Sequence, residues 1–259
     1  MKFLFLILSL LSPLYLEASP RLRVLIVADI VSRDIREGTS RDYRRIQESV
    51  KNIAEALHVP LSQSTLVEKN YTPDKIKNWI RAIRKEDIVL FYYSGHGFRP
   101  KKKSIPWPSL ACKTVVRKKS HFISGKEIIS SVKKRHPRFS LILFDCCNDP
   151  LHAKSPTEIT SQFLIPDGIP LPGLATLFLH TRGSVAISAA SPGQPALALI
   201  GGKTIGSLFS MSFIRSLFEE GQYSDTSWHS VIERALPAIR SGSSERQRPF
   251  YKIDTKIFE

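Results

Sequence analysis

Four stretches of the chain are apolar over the length of a strand and stop at a polar group. They are Leu22 to Ala28 before Asp29, Asp87 to Tyr93 before Ser94-Gly95-His96-Gly97, Ser140 to Phe144 before Asp145-Cys146-Cys147-Asn148, and Ser184 to Ala190. Apolar runs without alternation mark strands buried on both faces of a parallel sheet. Between them the apolar positions change to helical spacing. Ile46, Val50, Ile53, Ala54 and Leu57 predict a helix over 42–57, and Ile76, Trp79, Ile80 and Ile83 predict another. The second is opened by Thr72-Pro73-Asp74, with proline just inside the first turn. Further helices are predicted at about 124–134, 205–218 and 228–239, a short strand at 64–67, and a short extended tail after Gln247 to Tyr251. Ser32 to Ser40 reads as a polar loop, and Phe98 to Lys119 as a basic connection containing a small hairpin. Strand–helix alternation of this kind predicts an α/β fold with a mostly parallel sheet and helices on both faces. In such sheets function gathers just beyond the carboxyl ends of the strands.

Two segments do not fit that alternation. Lys2 followed by the apolar run Phe3 to Leu16 and the small residues Ala18-Ser19 describes a secretory signal, cut after Ala18. The run is shorter than the roughly 20 apolar residues of a spanning helix, and a retained membrane anchor is the alternative. Residues 1–18 are thus expected to be an export signal and 19–259 one catalytic-size domain. Asn148 to Gly183 is long, poorly patterned and rich in proline (Pro150, Pro156, Pro166, Pro170, Pro172), and reads as a linker between a large and a small half.

Composition alters this picture in two places. The formal charge is +15, from 38 Lys and Arg against 23 Asp and Glu, which suits an anionic partner or a solvated basic surface. Only three cysteines are present, Cys112, Cys146 and Cys147, two of them adjacent. An odd set with neighbours argues against a disulfide framework. No Cys-x-x-Cys or paired-histidine spacing indicates a metal, and no cofactor is expected.

The chemistry concentrates at two strand ends. A thiol becomes a strong nucleophile as thiolate, and an imidazole within reach is a common way of generating it. His96 ends one strand and the cysteines end another, so adjacent strands would bring them together. Gly95 and Gly97 leave backbone N–H groups open to a substrate carbonyl, as an oxyanion hole requires.

Tyr93-Ser94-Gly95-His96-Gly97 resembles the histidine motif of caspase-like peptidases, including metacaspases, and Asp145-Cys146-Cys147 resembles their Asp-x-Cys nucleophile motif. The order of elements is similar from about Leu22 to Phe250. The resemblance implies a three-layer caspase-like fold and a Cys–His dyad without a required third carboxylate. It makes Cys147 the nucleophile and His96 the general base and acid. The N–H groups of Gly97 and Cys147 become the oxyanion donors, and Cys146 fills a variable position.

The resemblance also implies a substrate pocket, and there the residues diverge from it. Metacaspases prefer a basic residue before the scissile bond and hold it with acidic groups. The matching segment Ser188 to Ala196 contains no acid. Asp29 and Asp149 are the acidic candidates, and Gln194 is a candidate on position. Arg33 and Arg36 would suit an aspartate instead, as in caspases. A basic preference is slightly favoured. Linker cleavage, at Lys154 or Arg182, is the form of processing the family suggests, and no acidic cluster suited to calcium is present. Outside catalysis, the alternative is an inactive caspase-like scaffold. It would bind a partner or an anionic surface through Lys101 to Lys103, Arg117 to Lys119 and Lys133 to Arg135.

Overall fold

A computed structural model describes residues 19–67, 71–99, 104–112, 121–149, 156–157, 170–199 and 206–258. The expected export signal, Lys101 to Lys103, Arg117 to Lys119 and Lys154 lie outside the described residues. In chain order the elements are β1 (Arg21–Ala28), α1 (Arg36–Ala56), β2 (Leu61–Val67), α2 (Pro73–Arg81), β3 (Asp87–Ser94), β4 (Gly97–Phe98), β5 (Ser109–Cys112) and β6 (His121–Ser124). They continue with α3 (Gly125–Lys133), β7 (Phe139–Asp145), β8 (Pro156–Thr157), α4 (Pro172–Phe178), β9 (Thr181–Ser188) and β10 (Ala198–Leu199). The last are β11 (Gly206–Ser207), α5 (Leu208–Glu220), α6 (Trp228–Gly242) and β12 (Phe250–Ile257).

Six strands form the central sheet in the order β12-β9-β7-β3-β1-β2, all neighbours parallel except the antiparallel pair β9–β12. Side chains of a strand alternate between faces, so an unbroken apolar run feeds two cores at once. In β3, Ile88, Leu90 and Tyr92 join the core under α1, α4, α5 and α6, whereas Val89, Phe91 and Tyr93 join the core under α2 and α3. These three layers are the α/β architecture expected from the pattern. Phe139, stacked on Trp228 with ring centroids 5.3 Å apart, anchors the first core.

Several boundaries differ from the sequence expectation, each for a physical reason. The first helix begins at Arg36 rather than residue 42, because Thr39 and Asp42 continue its buried stripe with polar side chains that apolar periodicity does not register. The region expected to be linker contains α4, whose Pro172 occupies the first turn and whose Leu174, Leu177 and Phe178 are buried. The pattern places these prolines outside any helix, but seven residues are too short to display a helical period. Arg182 stands inside β9, paired with Lys256 on β12, so its peptide bonds are held in the sheet rather than offered to a protease. The extended tail is a full eight-residue edge strand. The basic connection contains β5, which pairs with β4 at the connection's start and with β6 just beyond its end in a small antiparallel sheet.

Strand order places the site. The chain runs from β1 outward to β2 on one side, then crosses to β3 and outward through β7 and β9 on the other. The crevice at the carboxyl ends of β1 and β3 is therefore the topological switch point of the sheet.

Candidate active site

β3 and β7 lie side by side with Ser94 opposite Asp145. His96 and Cys147, each two residues further on, consequently emerge from adjacent strand ends. The link is reinforced where the Gly95 N–H donates to the Asp145 carbonyl at 3.3 Å. Both side chains line one cleft of about 90 Å³, together with Asp42, Asp145, Ala196 to Ala198 and Ser207.

The glycine after the histidine has a steric cause. A Cβ on Gly97 would stand 2.4 Å from the Cys146 sulfur and 2.6 Å from the Cys147 carbonyl oxygen. Only a residue without a side chain lets the histidine loop close on the loop that carries Cys146 and Cys147. The His96 carbonyl is fixed from two sides, accepting from the Tyr93 hydroxyl at 2.6 Å and from the Ala111 N–H at 3.0 Å. The imidazole itself is about half exposed, and its Nε2 lies 3.2 Å from the Asp34 carboxylate.

Cys147 and Cys146, adjacent in sequence, differ in environment. All three cysteines are free thiols, but Cys146 is buried behind Gly97 while Cys147 is partly accessible. Cys147 Sγ accepts from the Ala196 N–H at 3.4 Å, a contact that favours the thiolate. Burial outweighs it, with Asp149 and Asp145 adding to the effect, and raises the thiol above its ordinary value. At rest the sulfur holds its proton, so nucleophilic chemistry here needs a base at the moment of reaction. The Ala196 wall is in turn held by Gln247, which is fully buried. Its Oε1 accepts from the Leu197 N–H at 2.8 Å and its Nε2 donates to the Ala189 carbonyl at 2.9 Å.

Two carboxylates form the floor. Asp145, 4% exposed, accepts from Ser207 Oγ at 2.7 Å and Ser210 Oγ at 2.5 Å, with the Tyr92 hydroxyl a longer donor at 3.4 Å. Asp42, 2% exposed, accepts from the Ser207 N–H at 3.0 Å on each oxygen and from Arg45 Nη1 at 2.6 Å. Gly206 makes that approach feasible. Its φ of +148° is a conformation L side chains rarely adopt, and a Cβ there would stand 2.7 Å from Asp42 Oδ1. Burial raises both carboxyls, and Asp42, also opposed by the Asp145 charge and relieved by Arg45, is pushed up to about 7.

The other residues singled out in the sequence lie elsewhere. Asp29 is buried, and its carboxylate accepts from the Val31 and Ser32 N–H groups and from Ser32 Oγ. Gln194 accepts from the Arg248 N–H through its side chain, tying two backbone segments together. Asp149 is buried two residues beyond Cys147, its carboxyl raised by desolvation, and its carbonyl accepts from the Arg99 N–H. Asp29, Asp149, Gln194, Arg33 and Arg36 are not among the residues lining the cleft. The acids at the floor are instead Asp42 and Asp145. Asp42 has a signal in the sequence: it sits one turn before Ile46 on the apolar stripe of α1, where a charged residue requires a buried partner. Ser207 and Gln247 have none. Among the described residues no group of three or more His, Cys, Asp or Glu side chains is arranged to hold a metal ion.

Comparison with known proteins bears on the whole arrangement. The caspase domain family matches residues 24–256. No curated protein matches the chain. Among solved structures, caspase-1 from Spodoptera frugiperda superposes with a TM-score of 0.55 at 11% identity, over 91% of this chain and 88% of that one. A protein from Geobacter sulfurreducens superposes with a TM-score of 0.53 at 13% identity, over 91% of this chain and 93% of that one.

Proposed function

The chain belongs to the caspase domain family, and from that premise we propose that it is a cysteine endopeptidase working through Cys147 and His96. The observation that carries this reading is that both side chains line one cleft at the switch point of the sheet. In the proposed reaction His96 takes the thiol proton as Cys147 Sγ attacks the scissile carbonyl carbon. The N–H groups of Gly97 and Cys147 hold the developing oxyanion, a contribution of about 3–4 kcal/mol where such donors have been removed in other enzymes. His96 then passes its proton to the leaving amine. Water, deprotonated by His96, hydrolyses the resulting thioester and regenerates the thiol.

A basic residue before the scissile bond is the preference we assign. Its support is the cleft floor: two carboxylates against one guanidinium, with Arg45 reaching Asp42 but not lining the cleft. Arg33 and Arg36, the groups that would favour an aspartate, do not line it either. The test is turnover of fluorogenic peptides ending in arginine, lysine or aspartate, run beside Cys147→Ala. Cleavage of the arginyl and lysyl peptides alone, lost in the variant, is the expected result; activity that persists in Cys147→Ala removes the proposal. We further assign residues 1–18 to export, checked by finding a mature chain that begins at Ser19 outside the cytoplasm.

A non-catalytic surface has one supporting observation of its own. Lys126, Lys133 and Lys252 line a second cleft with Trp107 and Ser184, away from the dyad. Of these three, Lys133 is held in an ion pair, to Asp254 at 2.7 Å. Salt-dependent retention on heparin that falls in a Lys126→Glu/Lys252→Glu variant would support an anionic partner at this face.

A further inference from the structure

His96 makes one contact that neither the strand ends nor the cleft requires. Its Nε2 lies 3.2 Å and 3.4 Å from the two carboxylate oxygens of Asp34, a residue 62 positions earlier on the loop after β1. Both backbones that present this pair are pinned independently. On the Asp34 side, the buried Asp29 carboxylate accepts three hydrogen bonds from Val31 and Ser32, and the Asp29 carbonyl accepts from Thr39 Oγ1 at 2.6 Å. The Ser32 carbonyl then accepts from the N–H groups of Ile35 and Arg36 at 3.1 and 2.8 Å, closing a turn around Asp34. On the other side the His96 carbonyl is held by Tyr93 and Ala111. Two anchored backbone segments thus bring the carboxylate within reach of the ring.

The geometry points to Asp34 as a positioning residue for the imidazole, a carboxylate supplied by the loop after β1 to a dyad that does not otherwise have one. This inference rests on the Cys147–His96 reading above. A carboxylate that accepts from Nε2–H leaves Nδ1 as the unprotonated nitrogen, so the ring is held in the tautomer that can take the thiol proton. When Nδ1 takes that proton, the imidazolium forms beside a fixed negative charge. The proton then leaves from Nδ1 to the amine, and Asp34 stays ionised throughout. Solvent sets the size of the effect. The Asp34 side chain is 67% exposed and that of His96 46%, so the pair is screened. The expected gain is about two- to fivefold in rate rather than the several orders a buried carboxylate contributes.

The experiment compares His96→Ala, Asp34→Asn, Asp34→Glu and the double variant His96→Ala/Asp34→Asn with the unaltered full chain. Two rates are read at one pH and ionic strength: iodoacetamide alkylation of Cys147 by mass spectrometry, and turnover of an arginyl fluorogenic peptide. His96→Ala should slow alkylation. Asp34→Asn should slow it by about two- to fivefold and lower kcat with little change in KM, and Asp34→Glu should recover most of both. In the His96→Ala background, Asp34→Asn should have no further effect, because a residue acting through the ring has nothing left to act on. Slowing by Asp34→Asn that persists without His96 would make Asp34 merely structural and overturn the inference. Unchanged rates in Asp34→Asn beside a slowed His96→Ala would overturn it while leaving the dyad standing. No effect of His96→Ala on alkylation would bring down the dyad reading and this inference with it.

Discussion

The rim and the floor of the cleft are built on opposite terms. The rim carries His96 and Cys147 on short motifs that directly continue two adjacent strands, with partly exposed side chains and few partners of their own. The floor carries Asp42 and Asp145, fully buried, and nearly every oxygen they present is taken by a donor from far along the chain. Ser207 meets Asp42 across 165 positions and Asp145 across 62, and Ser210 meets Asp145 across 65. Chemistry at the rim needs groups that change their protonation and stay in reach of a substrate. A floor that keeps carboxyl groups away from water needs the reverse, since burial favours their protonated form and each donor offsets part of that effect.

That contrast can be broken from either side. The largest effect is expected from Cys147→Ala, which should remove measurable turnover altogether, whereas Cys146→Ala, altering a thiol sealed behind Gly97, should retain most of it. Gly97→Ala comes next. Its Cβ has no room between Cys146 and Cys147, so activity should fall at least tenfold and stability by about 1–3 kcal/mol, read by denaturant titration. Asp145→Asn tests the floor. It keeps the shape but removes the charge and obliges one hydroxyl to reorient, and kcat/KM on arginyl peptides should fall by more than tenfold.

Titration of the floor gives a smaller and separable signal. The folded protein holds the Asp42 carboxyl at about 7, above its ordinary value of 3.8, chiefly because it is buried. A carboxyl raised by folding stabilises the native state fully below about pH 4, and that contribution is lost as pH rises through about 7. Asp42→Asn keeps an acceptor for the Ser207 N–H, and its stability should decline less steeply across that window than that of the unaltered protein. Asp149→Asn should do least. It lies beside the Cys147 loop but does not line the cleft, and kcat/KM on arginyl peptides should move by less than about twofold, in keeping with an ordinary substitution away from the cleft.

The same division separates what the amino-acid sequence displays from what it conceals. Buried strands, their parallel pairing and the positions of His96 and Cys147 follow from apolar runs and short motifs, because each depends on neighbours in sequence. The sheet, its two cores and the family membership agree with that pattern. The acids of the floor are a different matter. Strand ends and motif neighbours point to Asp29 and Asp149, and neither lines the cleft. Asp42 is hidden inside a helix whose first turn is polar, and Ser207 follows a segment without periodicity. Asp29 is the instructive case. A carboxylate at a strand end is equally suited to a ligand and to its own loop, and here the bonds from Val31 and Ser32, with its place outside the cleft lining, distinguish the two.

Ser207 also carries a consequence for the order in which the molecule is made. A nascent chain that has reached Asp149 already possesses its thiol and its imidazole, on strands that can pair at once. It has neither the hydroxyl and N–H that seat the two floor carboxylates nor the Ala196 wall, and Gln247, which holds that wall, follows later still. A chain interrupted before Ser207 thus carries the thiol and the imidazole without the wall and floor that surround them in the folded molecule.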